Sequence, residues 1–262
     1  MDGFSAPAFM DPIGDGLAVL TQGLPALFLD VDGTILDLAE RPDNVITPPG
    51  LISTLLKAEQ KLAGALALVS GRPIEELDRL FKPLRLRASG IHGAEMRYNP
   101  GGSPISSLGV RELSQSFLTD LTRLVAAFPG VFVENKRFSF VVHYRLALEA
   151  ERPLREAVAQ LVDSKQIAVE VMNAHYAIEL KAPGCDKGGA IAAFLSTPTF
   201  RGRTPIFVGD DVTDESGFAV VAANGGYAFS VGLRRPRVIA TFSQPSAVRG
   251  WLAEYVDRED GV

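Results

Sequence analysis

Cysteine is almost absent from this sequence of 262 residues, which contains only Cys185. A single thiol excludes a disulfide within the chain and is typical of proteins that work in a reducing compartment. No apolar run approaches the roughly 18 residues that a membrane-spanning helix needs. The first 23 residues lack a basic segment followed by an apolar core, so they do not resemble a signal peptide. We therefore expect a cytoplasmic protein without a membrane partner.

An excess of positive charge is also missing. The chain has 26 Lys and Arg residues against 31 Asp and Glu residues, which gives a net charge of −5. Its basic run Arg234-Arg235-Pro236-Arg237 is short and predicts a solvated loop. Nucleic-acid binding needs a concentrated basic surface, so we expect no nucleic-acid partner. With 47% hydrophobic and 22% charged residues, the composition excludes a disordered or fibrous chain.

Short apolar runs alternate with helical patterns in the outer parts of the chain, at about 24–100 and 184–250. The runs 26–29, 65–69 and 206–208 are continuously apolar, which favours strands that are covered on both faces. Helical patterns at 51–63 and 187–195 lie between such runs. This alternation predicts an α/β fold with a doubly wound, Rossmann-like parallel sheet.

The middle of the chain has a different texture. Its pattern predicts a helix in 110–128, two strands in 131–145 that turn near 135–137, a helix at 153–164, and two strands in 167–181 that break near Asn173. This order is typical of an α+β unit with helices on one face of an antiparallel sheet. Linkers rich in Pro and Gly flank it at 99–104 and 183–184. We expect residues 1–104 and 184–262 to form a core and 105–183 an inserted domain.

The last strand of the insertion has two unlike faces. Tyr176, Ile178 and Leu180 share one face and can pack on helices. Glu179 and Lys181 share the other, which we expect to be open to solvent or to a ligand.

Polar side chains directly follow three of the apolar runs, and another lies at the start of the helical pattern 187–195. Sites in open α/β sheets form where the carboxyl ends of the strands meet. Several carboxylates at one place need a cation, and without a nearby Cys or His set they favour Mg²⁺. A carboxylate nucleophile, a hard cation and a lysine suit phosphoryl transfer. The side chains that we expect to gather there are Asp30, Asp32, Ser70, Lys187, Asp210 and Asp214.

The segments that carry these residues resemble, in the same order, the motifs of the haloacid-dehalogenase superfamily of Mg²⁺-dependent phosphatases. Segments 90–95, 133–136, 143–145, 178–181 and 209–215 narrow the resemblance to its trehalose-phosphatase family. The resemblance spans about residues 24–252. It implies a haloacid-dehalogenase core in which the inserted domain is a cap that closes over the substrate.

The same resemblance implies roles for individual residues. Asp30 would be the nucleophile and Asp32 the general acid and base. The metal ligands would be Asp30, the backbone carbonyl of Asp32, and Asp210, with Asp211 and Asp214 just behind them. The phosphate group would contact Gly33, Thr34, Ser70, Gly71, Arg72 and Lys187, and the sugar would contact Glu134, Lys136 and Glu179. No role is assigned to His92, Glu95, His143, Arg145 or His175.

The implied activity is Mg²⁺-dependent hydrolysis of trehalose 6-phosphate through an aspartyl phosphate. One alternative is another capped sugar phosphatase, acting on sucrose phosphate or a glycosyl glycerate phosphate. A second is a non-catalytic module that binds sugar phosphates, although such a protein would be expected to lose Asp30 or Asp32. We expect a monomer. A trehalose-phosphate synthase is the one macromolecule with which we consider an association.

Overall fold

The computed structural model describes residues 14–21, 23–39, 44–106, 112–136, 138–174 and 176–258. Strands in chain order are β1 (Pro25–Leu29), β2 (Leu66–Val69), β3 (Arg87–Gly90), β4 (Glu95–Arg97), β5 (Ile105–Ser106), β6 (Phe132–Asn135), β7 (Ser139–His143), β8 (Glu170–Ala174), β9 (Ala177–Lys181), β10 (Thr204–Gly209), β11 (Tyr227–Val231) and β12 (Ala240–Phe242). Helices are α1 (Gly14–Thr21), α2 (Leu51–Lys61), α3 (Ile74–Leu80), α4 (Gln115–Val125), α5 (Glu151–Lys165), α6 (Lys187–Leu195), α7 (Glu215–Ala223) and α8 (Pro245–Asp257).

The chain divides into two compact units. The first runs up to Ile105 and resumes at Asp186, and the second is Ser106–Cys185. None of the helices in the described residues is long and apolar enough to cross a membrane.

A mostly parallel sheet organises the first unit. Its strand order is β12-β11-β10-β1-β2-β3-β4-β5, and the pairs from β12 to β3 are parallel. The strands β1 and β2 are buried at every residue, as continuous apolar runs require. On β1, the Phe28 ring stacks on Phe200 at 5.3 Å between centroids and contacts Phe194 of α6 at 6.1 Å. The predicted α/β fold class is confirmed.

The second unit is a four-stranded antiparallel sheet with the order β6-β7-β9-β8. One face of the sheet packs against α4 and α5 in a separate apolar core, to which Ile178 and Leu180 belong as expected. Helix α4 begins later than its apolar pattern suggested. The hydroxyl oxygen of Ser114 accepts a hydrogen bond from the N–H of Phe117 at 3.3 Å and caps the helix there.

The two strands predicted in 167–181 are present, but β8 continues one residue past Asn173, because Asn173 pairs with Ile178 and Ala174 pairs with Ala177. The expectation that the charged face of β9 is open was wrong: Glu179 and Lys181 are only 8% and 7% exposed. Arg137, at the predicted turn between β6 and β7, and His175 lie outside the described residues.

Candidate active site

The turn after β1 places two of the predicted site residues. Asp30 follows the strand directly, and Gly33 adopts a φ of +76°, which favours glycine. The turn is closed by a hydrogen bond from the N–H of Gly33 to the carbonyl of Leu36 at 2.8 Å. As a result, the Thr34 hydroxyl donates to Oδ2 of Asp30 at 3.0 Å. Sequence reasoning expected only the backbone N–H of Thr34 to contribute, so its hydroxyl contact is a new feature.

Lys187 is the first residue of α6. Asp186 caps this helix, since its Oδ1 accepts from the N–H of Gly189 at 2.7 Å. The buried Nζ of Lys187 donates to Oδ1 of Asp30 at 2.7 Å and to Oδ1 of Asp214 at 2.6 Å. Asp30 and Asp214, which are 157 and 27 positions from Lys187 in the chain, thus contact the same ammonium group.

The turn after β10 supplies the remaining carboxylates. The Oδ2 of Asp214 accepts from the N–H groups of Asp210 and Asp211, at 3.0 and 2.9 Å. These bonds orient the buried Asp214 side chain while its Oδ1 faces Lys187. One carboxylate oxygen from each of Asp30, Asp210 and Asp214 lies within 4.8 Å of the others. We expected Asp214 to lie behind Asp30 and Asp210, and the structure places its carboxylate directly beside theirs.

Burial and mutual repulsion make this cluster electrostatically strained. Burial raises the pKa of Asp30 to about 7, with Asp214 adding to the shift and Lys187 opposing it. Burial, followed by the charge of Asp30, raises the pKa of Asp210 to about 7. The pKa of Asp214 is also raised by burial. Burial alone would lower the pKa of Lys187, but the charges of Asp214 and Asp30 raise it instead.

The donor set fits a hard divalent cation. When all three carboxylates are ionised, the ammonium of Lys187 balances only one of their negative charges, and carboxylate oxygens are the ligands that such a cation prefers. Gly33 leaves no room for a side chain beside them, because a Cβ there would lie 2.1 Å from Oδ2 of Asp210.

Asp32 is held by a different partner. Its carboxylate accepts two hydrogen bonds from Arg72, from Nε at 2.7 Å and from the terminal nitrogen at 2.8 Å. A second terminal nitrogen of Arg72 donates to Glu76 at 3.0 Å. Such bidentate pairs fix the orientation of the side chain. The resemblance implied that Arg72 contacts phosphate; here its guanidinium is bound to Asp32 and Glu76. The sequence analysis did not include Glu76. Its position one turn after Arg72 was the only sequence feature that indicated an ion pair between the two residues.

The segment after β2 packs tightly against the loop that follows β3. The Oγ of Ser70 is buried and accepts from the N–H of Arg72 at 3.1 Å. Gly71 packs closely against His92, because a Cβ there would lie 2.6 Å from its Nε2. Glu95 is buried and accepts from the N–H of Ile74 at 2.9 Å, which anchors the start of α3. His92 and Glu95 therefore support the loops of the site.

Asp211 is not one of the three carboxylates that lie within 4.8 Å of one another. Its side chain is 57% exposed and caps the short turn 212–214, with Arg235 3.7 Å away. Arg235, from the basic run, also donates to the backbone carbonyl of Asp210 at 3.3 Å.

The residues predicted to bind sugar lie in the second unit. Glu134 of β6 is in register with Val141, and Val141 with Glu179, so both carboxylates lie on the same face of the sheet. The Nε2 of His143 donates to Oε2 of Glu134 at 2.8 Å, and Nζ of Lys136 lies 3.9 Å from Oε1. The hydrogen bond from His143 is the main reason why the pKa of Glu134 is lowered.

Arg145 lies over the Tyr176 ring at 5.8 Å from its centroid. This cation–π contact is a role that the sequence did not indicate.

The model of the trehalose-phosphatase family matches residues 28–244. The chain belongs to this family. A probable trehalose-phosphate phosphatase from Sinorhizobium fredii (strain NBRC 101917 / NGR234) is 38% identical over 243 residues, with 91% of each chain covered. A trehalose-6-phosphate phosphatase from Escherichia coli (strain K12) is 39% identical, covering 87% of this chain and 85% of the relative. The resemblance inferred from the motifs is confirmed, and membership of the trehalose-phosphatase family makes the protein a phosphatase.

Solved structures of similar proteins have the same fold as this chain. A trehalose-6-phosphate phosphatase related protein is 26% identical with a TM-score of 0.70, and covers 88% of this chain and 96% of its own. The C-terminal domain of the trehalose-6-phosphate phosphatase of C. albicans has a TM-score of 0.78 at 20% identity, covering 93% and 97%, which shows the same fold.

Proposed function

We propose that this protein hydrolyses trehalose 6-phosphate to trehalose and phosphate, with Mg²⁺, through an aspartyl phosphate. Relatives at 38% and 39% identity carry the trehalose-phosphate phosphatase names and support the substrate. The observation that carries the chemistry is the buried contact of Lys187 with Asp30 and Asp214, beside the carboxylate of Asp210. A reactive carboxylate in a site of fixed charges is what phosphoryl transfer requires.

In the first step, an oxygen of Asp30 attacks phosphorus and the bond from phosphorus to the sugar oxygen breaks. Asp32 gives its proton to the departing sugar oxygen. Lys187 keeps one oxygen of Asp30 fixed at 2.7 Å, so the attacking group is oriented before the substrate arrives. Thr34 holds the other oxygen at 3.0 Å.

In the second step, water attacks the phosphorus of the aspartyl phosphate and its proton passes to Asp32. The bond from phosphorus to Asp30 then breaks, and phosphate leaves with Asp30 restored. Phosphate monoester hydrolysis is among the slowest reactions without a catalyst, so the phosphoryl oxygens need strong stabilisation. Ser70, Lys187 and the backbone around Gly33 are the groups that we assign to this task.

Mg²⁺ would be held by Asp30, Asp210 and the backbone of Asp32, with Asp214 beside them, and when bound it supplies positive charge that stabilises the transferred phosphoryl group. For the sugar, we assign Glu134, Lys136 and Glu179 to its hydroxyl groups, since charged groups make strong hydrogen bonds to them.

The test is to trap the intermediate in the wild-type protein and in Asp30→Asn. Substrate labelled with ³²P should label the wild-type chain in an acid quench, and hydroxylamine should remove the label. Asp30→Asn should neither be labelled nor release phosphate. Asp37→Asn is the matched control, because this aspartate is 64% exposed and pairs with Arg249. Turnover by Asp30→Asn near the control rate would refute the aspartyl-phosphate route.

A further inference from the structure

An exposed aromatic ring lies beside the carboxylate of Glu134. Phe132 opens the edge strand β6 and is 53% exposed. It is in register with His143 of β7, and the two rings stack at 4.7 Å between centroids and 19° between planes. One face of the Phe132 ring is thus supported by an imidazole, although much of the side chain faces solvent. Burying such a ring against a ligand is favourable, and the support from His143 distinguishes Phe132 from a singly exposed apolar side chain.

The surroundings of Phe132 are polar and fixed. Phe132 and Glu134 are two positions apart on one strand, so they project from the same face of the sheet. His143 binds Oε2 of Glu134, and Lys136 lies on the side of Oε1. The neighbouring Val133 has the opposite direction and packs against the apolar core of this unit. Phe132 therefore lies on the face of the sheet opposite to the apolar core of this unit.

An apolar surface next to fixed hydrogen-bonding groups matches the chemistry of a pyranose. A pyranose ring has an apolar C–H face and a rim of hydroxyl groups. Binding sites for small molecules combine apolar and aromatic walls with a few placed polar groups. The stacked ring is rigid, so its contact with a ligand costs little conformational entropy.

We propose that Phe132 is the stacking surface for a pyranose ring of the substrate, and that His143 positions both Phe132 and Glu134 for this contact. The proposal rests on the proposed function and adds a substrate contact to the cap residues already assigned. In this arrangement the ring binds the C–H face of the sugar, while Glu134 accepts hydrogen bonds from its hydroxyl groups.

Phe132→Ala should raise KM for trehalose 6-phosphate by about tenfold with little change in kcat, because the contact is made equally before and during the reaction. Phe132→Trp keeps an aromatic surface and should stay within about threefold of the wild type. Val171→Ala is the control: Val171 is 51% exposed on the other edge strand, β8, and should leave KM unchanged.

Hydrolysis of p-nitrophenyl phosphate distinguishes a lost sugar contact from a damaged fold, because this substrate has no sugar to stack on Phe132. Phe132→Ala should hydrolyse it with the wild-type kcat/KM. An equal loss on both substrates would overturn the proposal, as would an unchanged KM for trehalose 6-phosphate. If the wild-type protein instead prefers another pyranose phosphate, the trehalose assignment fails and the same variants test the stacking contact on that substrate. Wild-type inactivity on every pyranose phosphate would overturn both.

The positioning role of His143 has its own variants. His143→Ala removes the stacking partner and the hydrogen bond, and should raise KM by about tenfold. His143→Gln restores a donor for Glu134 and should recover part of this loss. A KM for His143→Ala equal to that of the wild type would refute the positioning role.

Discussion

Replacing Gly33 by alanine tests whether the turn after β1 is shaped for the carboxylates to which we assign Mg²⁺ binding. Gly33 has a φ of +76°, and a Cβ at this position would lie 2.1 Å from Oδ2 and 2.5 Å from Cγ of Asp210. Gly101 has a similar φ of +70°, but a Cβ there would meet nothing within 4 Å. The pair therefore separates the cost of the backbone conformation from the cost of the collision.

The left-handed conformation should cost both alanine variants about 1–2 kcal/mol of unfolding free energy. In Gly33→Ala the Asp210 carboxylate must also move by more than about 1 Å to reach an ordinary contact distance, and a displacement of that size can lower activity about 100-fold. Gly101→Ala should keep the wild-type kcat, because its Cβ would displace no neighbouring group.

The assay is phosphate release at saturating Mg²⁺, together with a Mg²⁺ titration and urea unfolding of both variants. Gly33→Ala should need more Mg²⁺ for half-maximal activity and should remain about 100-fold slower when saturated. A Gly33→Ala protein as active as Gly101→Ala would refute the argument that this glycine makes room for Asp210.

Three further predictions follow from the charges of the site. Lys187→Met should lower the unfolding free energy by about 3–5 kcal/mol in urea, because it leaves buried carboxylates without their partner; a loss below about 1 kcal/mol would contradict this. Since the pKa values of Asp30 and Asp210 are raised from 3.8 to about 7, these groups stabilise the metal-free fold fully below about pH 4 and this contribution is lost as the pH rises through 7. Thermal melting should accordingly show Mg²⁺ raising Tm more at pH 8 than at pH 5, and an equal increase at both would refute it. Arg72→Ala should lower kcat/KM for trehalose 6-phosphate far more than for p-nitrophenyl phosphate, whose leaving group needs no proton; equal losses would show that Arg72 does not position the general acid.

Much of the fold could be predicted because its causes are local. A strand that is covered on both faces must be apolar at every position, and β1 and β2 meet this condition. Helix α6 has the predicted bounds, since Asp186 is a good cap and its apolar pattern is uninterrupted. The gathering of Asp30 and Asp210 follows from one rule, that carboxyl ends of parallel strands share an edge.

The rest depends on contacts between distant segments. Arg72 and Asp32 are 40 positions apart, and no local pattern says whether an arginine near a phosphate site will bind phosphate or carboxylate. The alternation along β9 gave the correct face for Glu179 but could not say that this face is buried. Asn173 looked like a turn residue, yet its pairing with Ile178 extends the strand. The monomeric state, the synthase partner and the cytoplasmic location stay predictions from the sequence.

The most direct test is phosphate release from trehalose 6-phosphate, measured beside sucrose 6-phosphate and glucose 6-phosphate, with Mg²⁺ and with a chelator. We predict a strong preference for trehalose 6-phosphate that the chelator abolishes. Activity spread evenly over the three sugars, or activity that survives the chelator, would contradict the proposed function.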